Sequence, residues 1–169
     1  MEKLSITRWC LVAGLCASVA GCAGASWQKM KVAQSYQAPK HLSVSVVWEA
    51  KGEDSPDALQ ALQAGLSDGL ASKGIAATFV AAPGNEPQAN VTVAEWDPGS
   101  RALRYLIGMG AGEGSIVVVV RSPSSDGQPG VEGKARGWVR GGLFGGSSDI
   151  SATQAGHLIA EAIATGRAN

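Results

Sequence analysis

Few side chains of this 169-residue chain could do chemistry, and their spacing decides which of them stand together. The two histidines, His41 and His157, lie far apart and have no Cys, Asp or Glu at metal-ligand spacing. There is no HExxH, no paired-cysteine site and no GxSxG. The run Gly108-Met109-Gly110-Ala111-Gly112-Glu113-Gly114 approaches a dinucleotide-binding loop but misses it. The third glycine of GxGxxG would fall on Glu113 counting from Gly108, and on Ser115 counting from Gly110. Gly133-Lys134 has Gln128 where a phosphate-binding loop needs its first glycine. Glu49, Glu53, Glu95 and Asp97 could pair for hydrolysis, but no aromatic sugar platform adjoins them in the sequence. These readings set no enzyme, no metal and no small-molecule cofactor as the expectation.

Cys22 remains, and its setting gives it a defined chemistry. Lys3 and Arg8 precede an apolar run from Trp9 to Ala20, and Val19, Ala20 and Gly21 stand directly before the cysteine. A charged start, a short apolar stretch and small residues at a cut site make a secretory signal peptide. The run is short of the roughly 20 residues that a membrane span needs. Val19-Ala20-Gly21-Cys22 resembles a bacterial lipobox, which implies cleavage before Cys22, a diacylglycerol on its sulfur and an N-acyl chain. Ala23-Gly24-Ala25 leaves ordinary cleavage before Ser26 as the other route. Cys10 and Cys16 would leave with residues 1–21, so no disulfide is expected and the core alone must hold the domain. Two or more acyl chains anchor a protein stably, where one binds marginally. Ala23 stands where an Asp would favour the inner membrane in sorted lipoproteins. The expected location is therefore the cell envelope, on an outer-membrane lipid anchor facing the periplasm.

Charge argues against nucleic acid as a partner, because 14 basic residues balance 14 acidic ones. The two signs are segregated along the chain. Leu42 to Pro98 holds eight acids and two lysines, whereas Gly99 to Arg140 holds six bases and three acids. Either these are two solvated faces, or Arg101, Arg104, Arg121, Lys134, Arg136 and Arg140 form a basic patch.

The elements that must position these groups are legible from periodicity. Residues 22–40 read as a lipidated tether, residues 41–166 as the domain and 167–169 as a tail. Leu42 to Trp48 alternates with period two and predicts a strand. Ser55-Pro56-Asp57 starts a helix as cap, first-turn proline and acid. Leu59, Leu62, Leu66 and Leu70 make its apolar stripe, with Gly65 and Gly69 expected to bring it close to a sheet, and Lys73-Gly74 ends it. Ile75–Ala81 and Val91–Trp96 are further strands. Ser115–Arg121 reads as a strand buried on both faces, because Ile116 to Val120 are all β-branched. The turn around Asp126-Gly127 joins it to Val131–Arg140 as a hairpin. There Val131, Gly133, Ala135, Gly137 and Val139 alternate with Glu132, Lys134, Arg136, Trp138 and Arg140. Ser148 or Asp149 opens a last helix that Gly166 stops. The order β-α-β-β-β-β-α predicts a single two-layer α+β domain, about five strands in a mixed or antiparallel sheet with two helices on one face.

The stretch Gly99-Ser100-Arg101-Ala102-Leu103-Arg104-Tyr105-Leu106-Ile107-Gly108-Met109-Gly110-Ala111-Gly112 resembles the signature of an uncharacterised family of bacterial envelope proteins, many of them lipoproteins, catalogued as domain of unknown function 4410. The resemblance covers about Leu42 to Ile163. It departs at Met109, where an aromatic is common, and at Glu113, where a small residue is common. It implies an envelope location and no assigned activity. The expected function is a non-catalytic lipoprotein acting as an adaptor or assembly subunit, through an envelope protein partner or self-association. Arg101, Arg104, Gly108, Gly110, Gly112, Lys134, Arg136 and Arg140 are its candidate contact residues. The alternative is a module that binds anionic envelope polymer or lipid headgroups through the basic patch.

Overall fold

The computed structural model describes residues 23–52, 54–81, 88–100, 112–140 and 147–168. Their elements run β1 (Ala23–Val32), β2 (His41–Trp48), α1 (Pro56–Ser72), β3 (Ala76–Val80), β4 (Gln88–Asp97), β5 (Gly114–Pro123), β6 (Pro129–Val139) and α2 (Asp149–Thr165). One six-stranded sheet has the order β1-β6-β5-β4-β2-β3. β2 is parallel to both β3 and β4, and the remaining neighbours are antiparallel. The architecture is thus the expected mixed-sheet α+β fold, with one strand more than expected.

The extra strand comes from the segment read as a tether. Ala23 pairs with Val139 and the ladder continues to Val32 opposite Val131. A bulge between Trp27 and Lys29 explains why periodicity hides it. The additional residue puts Trp27 and Met30, three apart, on one face, so simple alternation fails. The link that follows is fixed as well. Pro39 is buried, and the Tyr36 hydroxyl donates to the carbonyl of Ile163.

The two helices cover one face of the sheet. Alternation puts Leu42, Val44, Val91, Val93, Ile116, Val118 and Val120 beneath them, all at most 3% exposed. α1 begins as its sequence dictates: Ser55 Oγ accepts from Ala58 N at 3.4 Å, Pro56 fills the first turn and Asp57 sits at the positive end. α2 ends at Gly166, whose φ of 64° and N–H bond to Ala162 O close the last turn. Its start differs from expectation. Ser148 occupies the cap position, yet its hydroxyl donates to Pro98 O at 2.5 Å and so ties the helix to the end of β4.

Gly65 and Gly69 bring α1 close to α2 rather than to the sheet. A Cβ on Gly65 would strike the carbonyl of Thr153, and one on Gly69 would lie 2.5 Å from Ala160 Cβ. Gly156 on α2 answers them, 2.6 Å from Leu62 O by the same measure. Leu62, Leu66 and Leu70 of α1 and Ile159 and Ile163 of α2 are fully buried beside this crossing.

Candidate functional site

The face of the sheet turned away from the helices gathers the polar side chains of the domain. Register places them. Asn90 and Thr92 of β4 lie beside Arg121 and Val119 of β5, and Glu95 beside Val117. Across the hairpin, Val117 faces Arg136, Val119 faces Lys134 and Arg121 faces Glu132. β1 adds Ser26 opposite Arg136 and Lys29 opposite Lys134. Val117 is only 3% exposed although no helix covers it. It stands between Glu95 and Arg136 in register, which accounts for the both-faces burial expected of β5.

The candidate contact residues divide. Cys22, Arg101, Arg104, Gly108 and Gly110 lie outside the described residues. Gly112 leads into β5 with φ of 71°. Lys134, Arg136 and Arg140 do share this open face, but each has a carboxylate beside it. Lys134 Nζ lies 3.0 Å from Glu95, Arg136 3.3 Å and Arg140 3.1 Å from the two oxygens of Glu113, and Arg121 3.6 Å from Glu132. A basic patch of one sign is therefore not what these four residues make. They form a mosaic of exposed ion pairs around the buried Val117 and the half-buried Val119.

Two of the four candidate carboxylates, Glu95 and Asp97, have structural contacts. Asp97 Oδ1 accepts from Gly99 N at 2.8 Å and shapes the turn after β4. Glu95 is taken by Lys134, and Glu53 lies outside the described residues. His41 and His157 are both exposed. Among the described residues, no three His, Cys, Asp or Glu side chains could hold a metal, and no helix is long and apolar enough to cross a membrane. A shallow cleft of about 240 Å³ opens at the far end of the open face, lined by Gln88, Asn90, Arg121, Ser122 and Glu132 among others. The tryptophans do not share a platform. Trp48 and Trp96 meet edge to face at 6.1 Å and 66° beside the core, while Trp138 lies on the open face over Gly24.

Two features escaped sequence reading. Lys29 and Lys31 are exposed on the open face and have no ion-pair partner among the described residues. The short alternation Lys29-Met30-Lys31, past the bulge, was the available signal. The second is the contrast between the two sheet edges. β1 carries Lys29, Lys31 and a bulge, all of which blunt an edge, whereas β3 (Ala-Ala-Thr-Phe-Val) has no charge, proline or bulge.

A mixed sheet roofed on one side by two helices, with a polar, ion-paired open face, defines a two-layer α+β domain. The chain belongs to the family described as Domain of unknown function (DUF4410), whose model matches residues 28–166. Among solved structures it is similar to two PelC dodecamers from Paraburkholderia phytofirmans. One, a point variant, is 19% identical with a TM-score of 0.47, covering 82% of this chain and 95% of that one. The other is 18% identical with a TM-score of 0.48, covering 82% and 96%. No curated protein matches the chain.

Proposed function

We propose that this protein is a non-catalytic envelope lipoprotein, anchored through Cys22 to the outer membrane and facing the periplasm, that acts as an adaptor or assembly subunit. The carrying observation is the unblunted β3 edge. Its outer backbone groups have no strand partner among the described residues, and its sequence has none of the devices that repel an added strand. Such an edge recognises an extended segment of another protein by main-chain hydrogen bonds, with side-chain pockets setting the choice. Ion pairing within the expected basic patch supports this reading over polymer binding through that patch. Polyanion capture draws on cations of one sign, and here Arg121, Lys134, Arg136 and Arg140 already have carboxylates beside them.

The test is site-specific photo-crosslinking in cells from Thr78 on β3 and from Gln60 on the exposed side of α1. A Cys22→Ser control and the N-terminal mass come from the same material. A diacyl or triacyl mass with a discrete product from Thr78 alone supports the reading. Equal products from both positions, or none from Thr78, would remove β3 as the contact. An unacylated N-terminus at Ser26 would remove the anchor.

A further inference from the structure

We infer that the open face of the β1–β6 ribbon lies flat against the membrane that holds the lipid, with phospholipid headgroups as its ligand. The inference rests on the Cys22 anchor proposed above. It begins with the lack of slack. Ala23 is already paired with Val139, so the residue before it can depart from the sheet by no more than about 3.8 Å between Cα atoms. A lipid on Cys22 therefore brings the headgroup layer to the start of β1 instead of leaving the domain on a tether.

Two placements satisfy that constraint, and charge separates them. Standing upright, the domain would press its β1-start end onto the headgroups. Among the described residues that end carries Glu49 after β2, Asp54 before α1, Asp97 at the end of β4, Glu113 before β5 and Asp149 at the start of α2, against Lys51 and Arg140. Five carboxylates against two cations leave that end negative, so phosphate would repel it. Lying on the open face, it presents a different ladder. Trp138 stands over Gly24, followed down the ribbon by Arg136 beside Ser26, Lys134 beside Lys29, and Lys31. Indole settles at the headgroup level of bilayers. Lys29 and Lys134 are direct cross-strand neighbours, an arrangement that costs stability when the two charges are alike. Glu95 answers only Lys134. A phosphate layer would answer Lys29 as well, and Lys31, whose cross-strand neighbour Glu132 already lies beside Arg121. Flat placement also leaves β3, at the opposite edge of the sheet, away from the anchor and open to the periplasm.

The test uses the mature acylated chain, in which Cys22 is blocked by lipid and a single introduced thiol can be labelled. Fluorophores go on Lys31→Cys or, on the helical side, Asp68→Cys. The protein is reconstituted in vesicles of phosphatidylethanolamine and phosphatidylglycerol containing headgroup spin-labelled lipid. The expected result is quenching several-fold stronger at position 31 than at 68, weakened by Lys29→Gln with Lys134→Gln. An upright domain would hold position 31 about 27 Å along the strand from Ala23, beyond quenching reach. Equal quenching, or none at either position, in a protein of confirmed acyl mass overturns the flat placement and leaves the anchor standing. A chain without acyl mass overturns the anchor, and the placement with it.

Discussion

Gly156→Ala on α2 should destabilise the protein, although helix propensity alone says the reverse. In an exposed helix interior the exchange gains about 1 kcal/mol. Here the new Cβ would lie 2.6 Å from Leu62 O and 2.7 Å from Leu66 N, both backbone atoms of α1 that cannot rotate away. Ordinary contact begins at 3.4 Å, so the helices must part by about 0.8 Å. A gap of that size forfeits a quarter to a half of each dispersion contact across the crossing. Overpacking of this kind costs about 1–3 kcal/mol, and the lost contacts of Leu62, Leu66 and Ile159 push toward the upper end. After the propensity gain, a net loss of about 2 kcal/mol remains, or roughly 4–8 °C in Tm for a domain of this size. Thermal and urea unfolding measure it, with Ser67→Ala on the exposed side of α1 as the propensity control. A neutral or stabilised Gly156→Ala would refute the close crossing. Gly65→Ala should show the same loss, and the double variant should lose less than the sum, because one separation of the helices serves both.

Burial pushes the Tyr36 hydroxyl up from 10.0 to about 12. The folded state then holds its proton over a range in which the unfolded chain gives it up, so stability should fall as pH rises from about 10 to 12. Denaturation midpoints across that window should show the fall in the native protein and a smaller one in Tyr36→Phe. Ser55→Ala should cost about 0.5 kcal/mol, the low end for a cap, because the bond to Ala58 N is long at 3.4 Å. Glu95→Gln and Lys134→Gln should each change stability by less than about 1 kcal/mol, since both side chains are well exposed. A larger loss in urea unfolding would show that the open-face ion pairs hold the sheet together.

Local signals served well where one element answers to one period. The cap at Ser55, the leucine stripe of α1 and the inward set Val131, Gly133, Ala135, Gly137, Val139 follow from 3.6- and 2-residue patterns, and the structure has them. What failed was information held between elements. β1 is recognisable only against β6, because its bulge breaks alternation and its partner lies a hundred residues later. The glycines of α1 announced a close approach, but the sequence does not say to what. The basic residues suggested a patch because linear charge counts ignore register. Glu95, Glu113 and Glu132 reach Lys134, Arg136, Arg140 and Arg121 only once the strands are aligned.

The same register gives β1 a structural reason to belong to the domain. Without it, the edge of the sheet would fall on β6, whose Ala135 and Val139 are fully buried and whose Gly133 and Gly137 supply no side chain. Trp27 fills that space: it packs against the core, and its ring would contact a Cβ on Gly133 at 2.5 Å. Tyr36 does the same below the end of α2, close against Gly130 and Gly166. A chain cut after the segment first read as a tether should therefore lose the seat of α2 as well as any anchor. Removing residues 23–40 should expose the core under α2 and lower the unfolding midpoint, whereas removing residues 1–21 should leave it unchanged. A lipid on Cys22, as proposed, would then attach directly ahead of a strand that the core needs.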